Sequence, residues 1–308
     1  MPVLHPVSEP ADLLPLLRLH LPTSLPVYSA LQTPGKPQKV MTTLQLGDGD
    51  RDRPESAGPW VIVVDSGNQF RFYCHVQGAT EEVVREADVL LEAVVKEIMR
   101  NASREGREVV RLGAIPDQYT QVVERVTGVP CISASRIWCD PAYSSGQEIP
   151  QPSTGTTIIA AESFEFRDAR EEDIPTILST SEVPHLPSYL STRLADTTCL
   201  FTVSQPASPG VLVAHVTTHR DGSLGTLHVD PRYRRRNLAR LVLQHRLSKM
   251  RSTTHEKVGY CYVHRENEAS RAVMKSLGWV ESEENVWWDI VNLTAWEARQ
   301  REDPAGRA

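Results

Sequence analysis

Short runs of alternating and helix-spaced apolar positions follow one another through the second half of the chain. Leu224 to Val229 (LGTLHV) alternates as a strand does, whereas Leu243, Leu247 and Met250 recur with the spacing of one helix face. The predicted strands of this half are Phe164 to Arg167, Thr198 to Ser204, Val211 to His219, Leu224 to Val229, Tyr260 to Val263 and Val286 to Ile290, with helices starting near Glu171, after Asn237 and at Asn267.

The first half contains one long amphipathic pattern. Glu81 to Met99 places its apolar residues on one helix face, and Thr80 can cap the N-terminus of that helix. The other predicted elements of this half are strands at Trp60 to Asp65, Phe70 to Val76 and Val109 to Leu112, and a helix from Pro116 to Thr127 that ends at Gly128.

A segment without periodicity separates the two halves. Residues 141–157 (PAYSSGQEIPQPSTGTT) are rich in proline, serine, glycine and threonine, which is typical of a linker. At 308 residues the chain is also longer than one typical domain. We therefore expect two domains, residues 1–145 and 160–295.

A basic turn, residues 231–237 (PRYRRRN), connects the strand at Leu224 to the helix that contains Leu243. The first backbone N–H groups of a helix have no partner within the helix, and the helix dipole adds an attraction for negative charge. Such a turn can bind a pyrophosphate. Because each charge-assisted hydrogen bond contributes about 1.5–3 kcal/mol, a few of them and an arginine can hold a nucleotide.

The spacing Arg234-x-x-Asn237-x-Ala239, after Val229-Asp230-Pro231-Arg232-Tyr233, resembles the signature with which the GNAT superfamily of N-acetyltransferases binds acyl-coenzyme A. Glycine is usual where this chain has Asn237, and asparagine is among the few residues that tolerate a left-handed backbone. The resemblance continues through Asn267-Glu268-Ala269-Ser270, a short helix and Leu277-Gly278-Trp279.

This resemblance implies an α/β (α+β) GNAT fold, a mixed central sheet flanked by helices, preceded by a degenerate GNAT-like domain with no cofactor of its own. It implies acetyl-coenzyme A or another acyl-coenzyme A as co-substrate. Many members protonate the leaving thiolate with a tyrosine, for which this chain has Met274. The residues that correspond to the coenzyme A contacts are Leu227, Val229, Arg234, Arg235, Arg236, Asn237, Leu238, Ala239, Asn267 and Ser270.

The layout of the whole chain, an α/β unit with Val64-Asp65-Ser66 and then the domain with the basic turn, resembles the glycine N-acyltransferase-like family. That family transfers an acyl group from a coenzyme A thioester to the amine of glycine or another amino acid. The resemblance therefore implies an N-acyltransferase with a small-molecule amine or amino-acid acceptor. The glutamate proposed as the family's general base corresponds here to Ser223, which is a poor base.

An amine must lose a proton before it attacks a thioester, and a carboxylate or imidazole that accepts this proton contributes typically about 10²–10⁴-fold. The catalytic candidates are His228, Asp221 and Ser223. We place His228 first because an imidazole titrates near neutral pH. The alternatives are that His228 is a core residue of the sheet and that Asp221 only forms a turn, and we expect Asp230 to order the basic turn.

Residues between the first helix of the second domain and the next strand cover the acceptor site in GNAT folds. An arginine there, such as Arg193, could pair bidentately with an amino-acid carboxylate, although it could equally be a surface charge. The acceptor-site candidates are Ser188, Tyr189, Ser191, Arg193, His264 and Arg265.

Composition narrows the function classes. The net charge of −6 argues against general nucleic-acid binding, because the arginines of the basic turn are a local cluster. No apolar run reaches the ~20 residues that span a bilayer, and the N-terminus lacks the features of a secretory signal. The five cysteines have no metal-binding spacing, so we expect reduced thiols and no metal site. We expect a cytoplasmic location, with a mitochondrial one as the alternative, and no membrane partner.

Two alternatives to an amino-acid N-acyltransferase stay open. The same fold could serve an acetyltransferase for protein lysines or N-termini. The departures at Ser223, Asn237 and Met274 also fit a catalytically weak protein that binds coenzyme A. Binding without turnover would distinguish this last alternative from the other two.

Overall fold

The computed structural model describes residues 4–32, 39–44, 58–67, 69–76, 80–141, 156–159, 162–203, 210–253 and 258–302. The chain forms two compact units, residues 1–136 with 282–308 and residues 137–281. Most of the predicted linker, residues 142–155, lies outside the described residues, as does the predicted hairpin loop at 205–209.

In chain order the elements are β1 (His5–Pro6), α1 (Leu14–Arg18), α2 (Leu25–Leu31), β2 (Lys39–Thr42), β3 (Trp60–Asp65), β4 (Gln69–His75), α3 (Glu81–Arg104), β5 (Val109–Pro116), α4 (Thr120–Thr127), β6 (Ile132–Cys139), β7 (Thr156–Ile159), β8 (Glu162–Asp168), α5 (Ile174–Thr180), α6 (Pro187–Ser191), β9 (Thr197–Thr202), β10 (Leu212–Thr218), β11 (Leu224–Val229), α7 (Leu238–Thr253), β12 (Tyr260–His264), α8 (Glu268–Ser276), β13 (Val280–Asn292) and α9 (Leu293–Glu302).

The strands of the first unit follow the order β1-β2-β3-β4-β5-β13, and β4 with β5 is a parallel pair among antiparallel neighbours. One sheet face packs against α3, whose apolar stripe, including Leu91, Val94 and Ile98, is buried against Phe70 and Phe72. On the other face α2 contacts β3 and β4. Alternation along the strands therefore supplies two apolar faces, each covered by helices.

The second unit repeats this plan. Its strands follow the order β12-β11-β10-β9-β8-β7, and β11 with β12 is a parallel pair. The long helix α7 covers one face, where Leu238, Val242 and Leu247 are buried against Leu200 and Val216. The short helices α5 and α6 cover the opposite face through a second apolar cluster that includes Ile177, Leu190 and Cys199.

The element order predicted for the second half is confirmed, and so are most of its bounds. Leu224–Val229 is a strand, Gly278 ends α8 with a φ of 75°, and Thr80 accepts a hydrogen bond from the Val83 N–H at the start of α3. The sequence pattern missed eight elements, most of which are short or lack a clear period: β1, α1, α2, β2, β6, β7, α6 and α9. The strand β7 begins at Thr156, inside the predicted linker.

The compact units divide the chain differently from the predicted domains 1–145 and 160–295, which stay a prediction. Residues Val286 to Asn292 of β13 pair with β5, and Trp296 of α9 donates through Nε1 to the Val126 carbonyl at 2.9 Å. These contacts make the C-terminal strand and helix part of the first unit. Within the described residues, no helix has both the length and the apolar character needed to cross a membrane.

Candidate active site

The basic turn has an unusual backbone. Residues Pro231–Tyr233 form one turn of 3-10 helix, which the Asp230 carboxylate caps by accepting from the Arg232 N–H. Arg235 and Asn237 then have positive φ values, 64° and 59°. Left-handed residues next to right-handed or extended ones turn successive N–H groups to one side, which makes a concave anion site. The left-handed conformation foreseen for Asn237 is confirmed.

This concave turn leads directly into α7. Among the described residues, the N–H groups of residues 235–239 donate to no backbone carbonyl, and the first turn of α7 holds no acidic residue. Leu238 is buried, which anchors the helix start, while Ala239 is half-buried and small. A negatively charged ligand can therefore approach the backbone at Ala239 without meeting a long side chain.

The arginines of the turn have different partners. Arg232 binds the Asp230 carboxylate at 2.7 Å, and Arg236 binds Glu162 at 2.8 Å. Arg234 donates through Nε to the Val229 carbonyl at 3.1 Å. Arg235 is exposed. Arg234 and Arg235 are therefore the cations of the turn that no carboxylate neutralises among the described residues.

Strands β11 and β12 separate almost as soon as they meet. Their parallel register contains the single pair Leu224 and Cys261. On its other side β11 carries a bulge, because two of its residues, Thr226 and Leu227, stand opposite one residue of β10, and Thr226 has a φ of 50°. The bulge and the early separation leave a gap beside the second half of β11.

The backbone of β11 also presents polar groups to this gap, where the Val229 carbonyl already accepts from Arg234 Nε. Asp230 N–H donates to Val213 of β10 at 2.8 Å. Because backbone groups of alternate strand residues point to opposite sides, His228 shares that direction, whereas Leu227 and Val229 direct their N–H and C=O groups toward the gap. An extended chain with amide groups can therefore lie along β11 and pair with it.

On the sheet face opposite α7, His228 and His215 are cross-strand partners whose rings stack at 5.6 Å. His215 is buried, and its Nε2 lies 3.0 Å from the Thr180 hydroxyl. Burial lowers the pKa of His215 to about 4, with His228 adding to the effect. Burial, and then Arg234, also lower the pKa of His228, which is half-buried. His228 is therefore neutral at pH 7 and able to accept a proton.

Asp221 and Ser223 are buried and bonded to each other. The Asp221 carboxylate accepts from the Ser223 hydroxyl at 2.6 Å and from the Ser223 N–H at 3.1 Å. The Asp221 carbonyl in turn accepts from the Tyr260 hydroxyl at 2.8 Å. These bonds close the turn between β10 and β11 and keep both side chains at 9% exposure or less. Asp221 and Ser223 therefore stabilise a turn, whereas His228 lies on the part of β11 that borders the gap.

His219, which sequence reasoning did not single out, lies over the start of β11. A Cβ atom at Gly225 would stand 2.2 Å from its Nε2, so the ring packs where glycine leaves room. The His219 Nδ1 lies 2.8 Å from the Tyr189 hydroxyl, and burial raises the pKa of Tyr189 to about 12. Gly225 in the strand could have indicated a closely packed neighbour, although the sequence does not show that this neighbour is His219.

The family comparison agrees with this geometry. Residues 166–279 match the model of the acetyltransferase (GNAT) family. The second unit has the GNAT fold. GNAT acetyltransferases use acetyl-coenzyme A or another acyl-coenzyme A as co-substrate, and this match implies an acyl-coenzyme A-dependent N-acyltransferase activity. A search of curated protein sequences gives no significant match.

Solved structures extend the comparison to the whole chain. A Drosophila protein matches with a TM-score of 0.61 at 17% identity, over 95% of this chain and all of that one. A tandem GNAT protein from the clavulanic acid biosynthesis pathway matches at 12% identity over 94% and 98% of the two chains, with a TM-score of 0.47. A GCN5-related N-acetyltransferase from Sphaerobacter thermophilus matches at 14% identity over 94% and 95%, with a TM-score of 0.46. Only the Drosophila likeness, of these three, is close enough to support the fold.

The residues of the second unit fit an acyl-coenzyme A. The concave turn at Arg235 to Asn237 and the start of α7 suit a pyrophosphate, and the gap beside Leu227 and Val229 suits an amide-containing arm. Asn267 caps α8 by accepting from the Ser270 N–H at 3.0 Å, so its carbonyl oxygen is already used.

The position of the usual GNAT tyrosine carries no hydroxyl. Met274 is buried in the core under α7, at 2% exposure. Tyr262, on β12, lies on the same sheet face as Tyr260, whose ring meets it edge to face at 5.6 Å. Met274 therefore cannot supply a proton to a leaving thiolate.

The acceptor candidates are dispersed. Arg193 binds Asp196 at 2.9 Å, and Ser191 donates to Glu171 at 3.1 Å. Ser188, His264 and Arg265 are exposed. Of the candidates, Tyr189 is the one that contacts the β10–β11 turn, through His219.

Proposed function

We propose that the protein is an acyl-coenzyme A-dependent N-acyltransferase that acylates the amine of glycine or another small amino acid. The observation that carries this proposal is the gap between β11 and β12, which has a phosphate-binding turn at one end and imidazoles on the sheet face opposite α7. That face is hereafter called the acceptor face. The amino-acid acceptor is supported by the resemblance to the glycine N-acyltransferase-like family.

In this proposal the turn binds the nucleotide through charge and backbone. The N–H groups of Arg235 to Ala239 donate to the pyrophosphate, and Arg234 and Arg235 supply positive charge. Leu227 and Val229 pair with the arm that carries the thioester. The bound co-substrate supplies an activated carbonyl group. Arg232 contributes least, because Asp230 already neutralises it.

We propose His228 as the proton acceptor. The amine nitrogen forms a bond to the thioester carbonyl carbon, the carbon–sulfur bond breaks, and the amine proton passes to the neutral imidazole. The N–H of Leu227 or Val229, which points into the gap, stabilises the oxyanion. Asp221 and Ser223, the other proposed catalytic residues, support the strand by holding the β10–β11 turn. Water takes the role of proton donor to the thiolate.

The second candidate is a catalytically weak coenzyme A-binding protein. It is favoured by the burial of Ser223 against Asp221 and by the apolar Met274, because neither can act as a base or an acid there. This candidate predicts the same coenzyme A affinity and no acyl transfer.

One experiment tests the proposal in two steps on the full chain. Calorimetry with coenzyme A should give one equivalent per chain, and Ala239→Phe should abolish binding by blocking the close approach of the phosphates, with Arg232→Ala as the matched control. Acetyl-coenzyme A consumption is then measured against a panel of amino acids. Binding without consumption of acetyl-coenzyme A would support the second candidate, and absence of binding would contradict both.

A further inference from the structure

We propose that Arg220 binds the carboxylate of the acceptor, held in place by an aromatic platform of His185, Tyr189 and His219. This inference rests on the proposed function and assigns it a specificity-determining residue. Arg220 belongs to the turn between β10 and β11, and the platform joins that turn to α6 and the residues just before it.

The platform consists of rings in mutual contact. His185 and Tyr189 stack at 5.3 Å, Tyr189 and His219 stack at 6.0 Å, and His185 lies 5.3 Å from His219. The bond between the Tyr189 hydroxyl and His219 Nδ1 fixes two of these rings relative to each other. All three side chains are half-buried, so part of the platform is accessible to a ligand.

Arg220 lies on this platform. Its guanidinium carbon stands 5.3 Å from the centre of the Tyr189 ring, within the range of a cation–π contact. The side chain is half-buried, and among the described residues it forms no ion pair. A guanidinium group packed on an aromatic face keeps its edge, with its N–H donors, directed outward. That edge matches the two oxygens of a carboxylate.

The other arginines near this platform are already neutralised. Arg193 and Arg246 both bind the Asp196 carboxylate, at 2.9 Å and 2.8 Å. Arg246 also donates to the Thr218 hydroxyl and is buried. The carboxylate role that the sequence suggested for Arg193 therefore passes to Arg220.

The platform also places this charge close to the start of β11. The His219 ring rests on Gly225, directly before the two bulged residues of β11, Thr226 and Leu227. From that ring, one contact of 6.0 Å leads to Tyr189 and a second of 5.3 Å leads to Arg220. An acceptor bound on the platform can therefore present its carboxylate to Arg220 on the sheet face where β11 begins.

The test compares acids with their amides. Wild type and Arg220→Gln are assayed with acetyl-coenzyme A and two pairs of acceptors, glycine with glycinamide and phenylalanine with phenylalaninamide. Loss of a charge-assisted pair, about 1.5–3 kcal/mol, should raise KM for the acid about 10–100-fold, while KM for the amide stays within about two-fold. Arg220→Lys should raise KM for the acid by a smaller factor than Arg220→Gln, because lysine keeps the positive charge and loses the planar pair of donors.

Two further variants separate binding from folding. Arg170→Gln, an exposed arginine beside Glu172 in the same unit, should change neither KM. Tyr189→Leu removes the ring under Arg220 and should reduce the preference for the acid, and an unchanged ratio of the two KM values would show that the platform does not hold Arg220. Coenzyme A affinity, measured by calorimetry, reports whether each variant is folded.

If Arg220→Gln changes KM equally for acid and amide, or changes neither KM, the inference is overturned and the proposed function is unaffected. A wild-type protein that binds coenzyme A and acylates no amino acid would overturn the proposed function, and this inference with it. If Arg220→Gln does not bind coenzyme A, Arg220→Lys is compared with wild type instead. An Arg220→Lys variant with the same ratio of acid KM to amide KM as wild type would overturn the inference.

Discussion

The segments β4–α3–β5 and β11–α7–β12 have the same plan and opposite chemistry. In each, the last strand of an antiparallel series leads through a long helix to a parallel strand. Before α7 the chain carries three successive arginines and has a left-handed backbone at Arg235 and Asn237, whereas α3 begins with Glu81 and Glu82 and is capped by the Thr80 hydroxyl. One helix start attracts an anion, and the other has its own negative charge there.

The sheet faces opposite the long helices differ in a similar way. In the first unit, Trp60, Tyr73 and His75 are buried, and His20 packs on them with ring distances of 4.4 to 6.0 Å. In the second unit, Tyr189, His219 and His228 are only half-buried. The two units therefore share a plan and differ in the exposure of the rings on this face, and a few side chains make the difference.

The largest expected effect comes from giving α7 the charges of α3. The double substitution Arg235→Glu and Arg236→Glu should lower coenzyme A affinity by at least about 10²-fold, because attraction at the helix start becomes repulsion and each lost charged bond contributes about 1.5–3 kcal/mol. Calorimetry measures it on the full chain, with Arg232→Ala expected within a few-fold of wild type. If the double variant still binds one equivalent of coenzyme A, the nucleotide site lies elsewhere, and the difference between the two helix starts does not explain binding.

The next effect concerns the acceptor face. His228→Ala should lower kcat by about 10²-fold or more, while coenzyme A affinity changes by no more than a few-fold. Circular dichroism must show that the variant is folded. An unchanged kcat would make His228 a core residue, as the rings of the first unit are, and the parallel His219→Gln variant would then test the other imidazole.

The rate of the wild-type enzyme should also rise with pH. A general base must be neutral, so the rate increases as pH passes through the pKa of His228. Because burial and Arg234 lower the pKa of His228 below its usual value of 6.5, we expect the midpoint of the rise in kcat below pH 6.5. A midpoint above pH 7 would contradict this assignment.

A smaller effect is expected on stability. The pKa of His215 is about 4 in the folded protein and 6.5 when exposed. The unfolded chain therefore binds a proton more readily, and this residue costs stability as pH falls from 6.5 toward 4, on the order of 2 kcal/mol between pH 7 and 5. Urea unfolding at both pH values measures it. His215→Gln should reduce the difference, and an equal pH dependence in the variant would refute the role of His215.

The smallest effect tests the cap of α3. Thr80→Ala removes the oxygen that accepts from Val83 and should cost about 1 kcal/mol of unfolding free energy. Coenzyme A affinity should not change, since α3 is proposed to bind no nucleotide. A loss of affinity without a loss of stability would show that the start of α3 contributes to the site.

Local sequence determined the elements of the second unit and its basic turn. The strand at Leu224, the helix face of Leu243 and Leu247, and the left-handed Asn237 follow from residues within one helical turn or one strand of each other. Such features depend on backbone preferences and on the period of apolar residues, which neighbours in the chain specify. The sequence of the turn also predicted a phosphate-containing ligand, because the arginines and the helix start are adjacent in sequence.

Only the tertiary structure decided which polar groups meet. Tyr189 reaches His219 across 30 residues, Asp196 neutralises both Arg193 and Arg246, and the C-terminal strand pairs with β5 of the first unit. None of these pairings has a period or a spacing that could reveal it, because they depend on which strands and helices become neighbours. The same holds for the gap beside β11, which exists because that strand bulges and leaves β12 after one pair of residues.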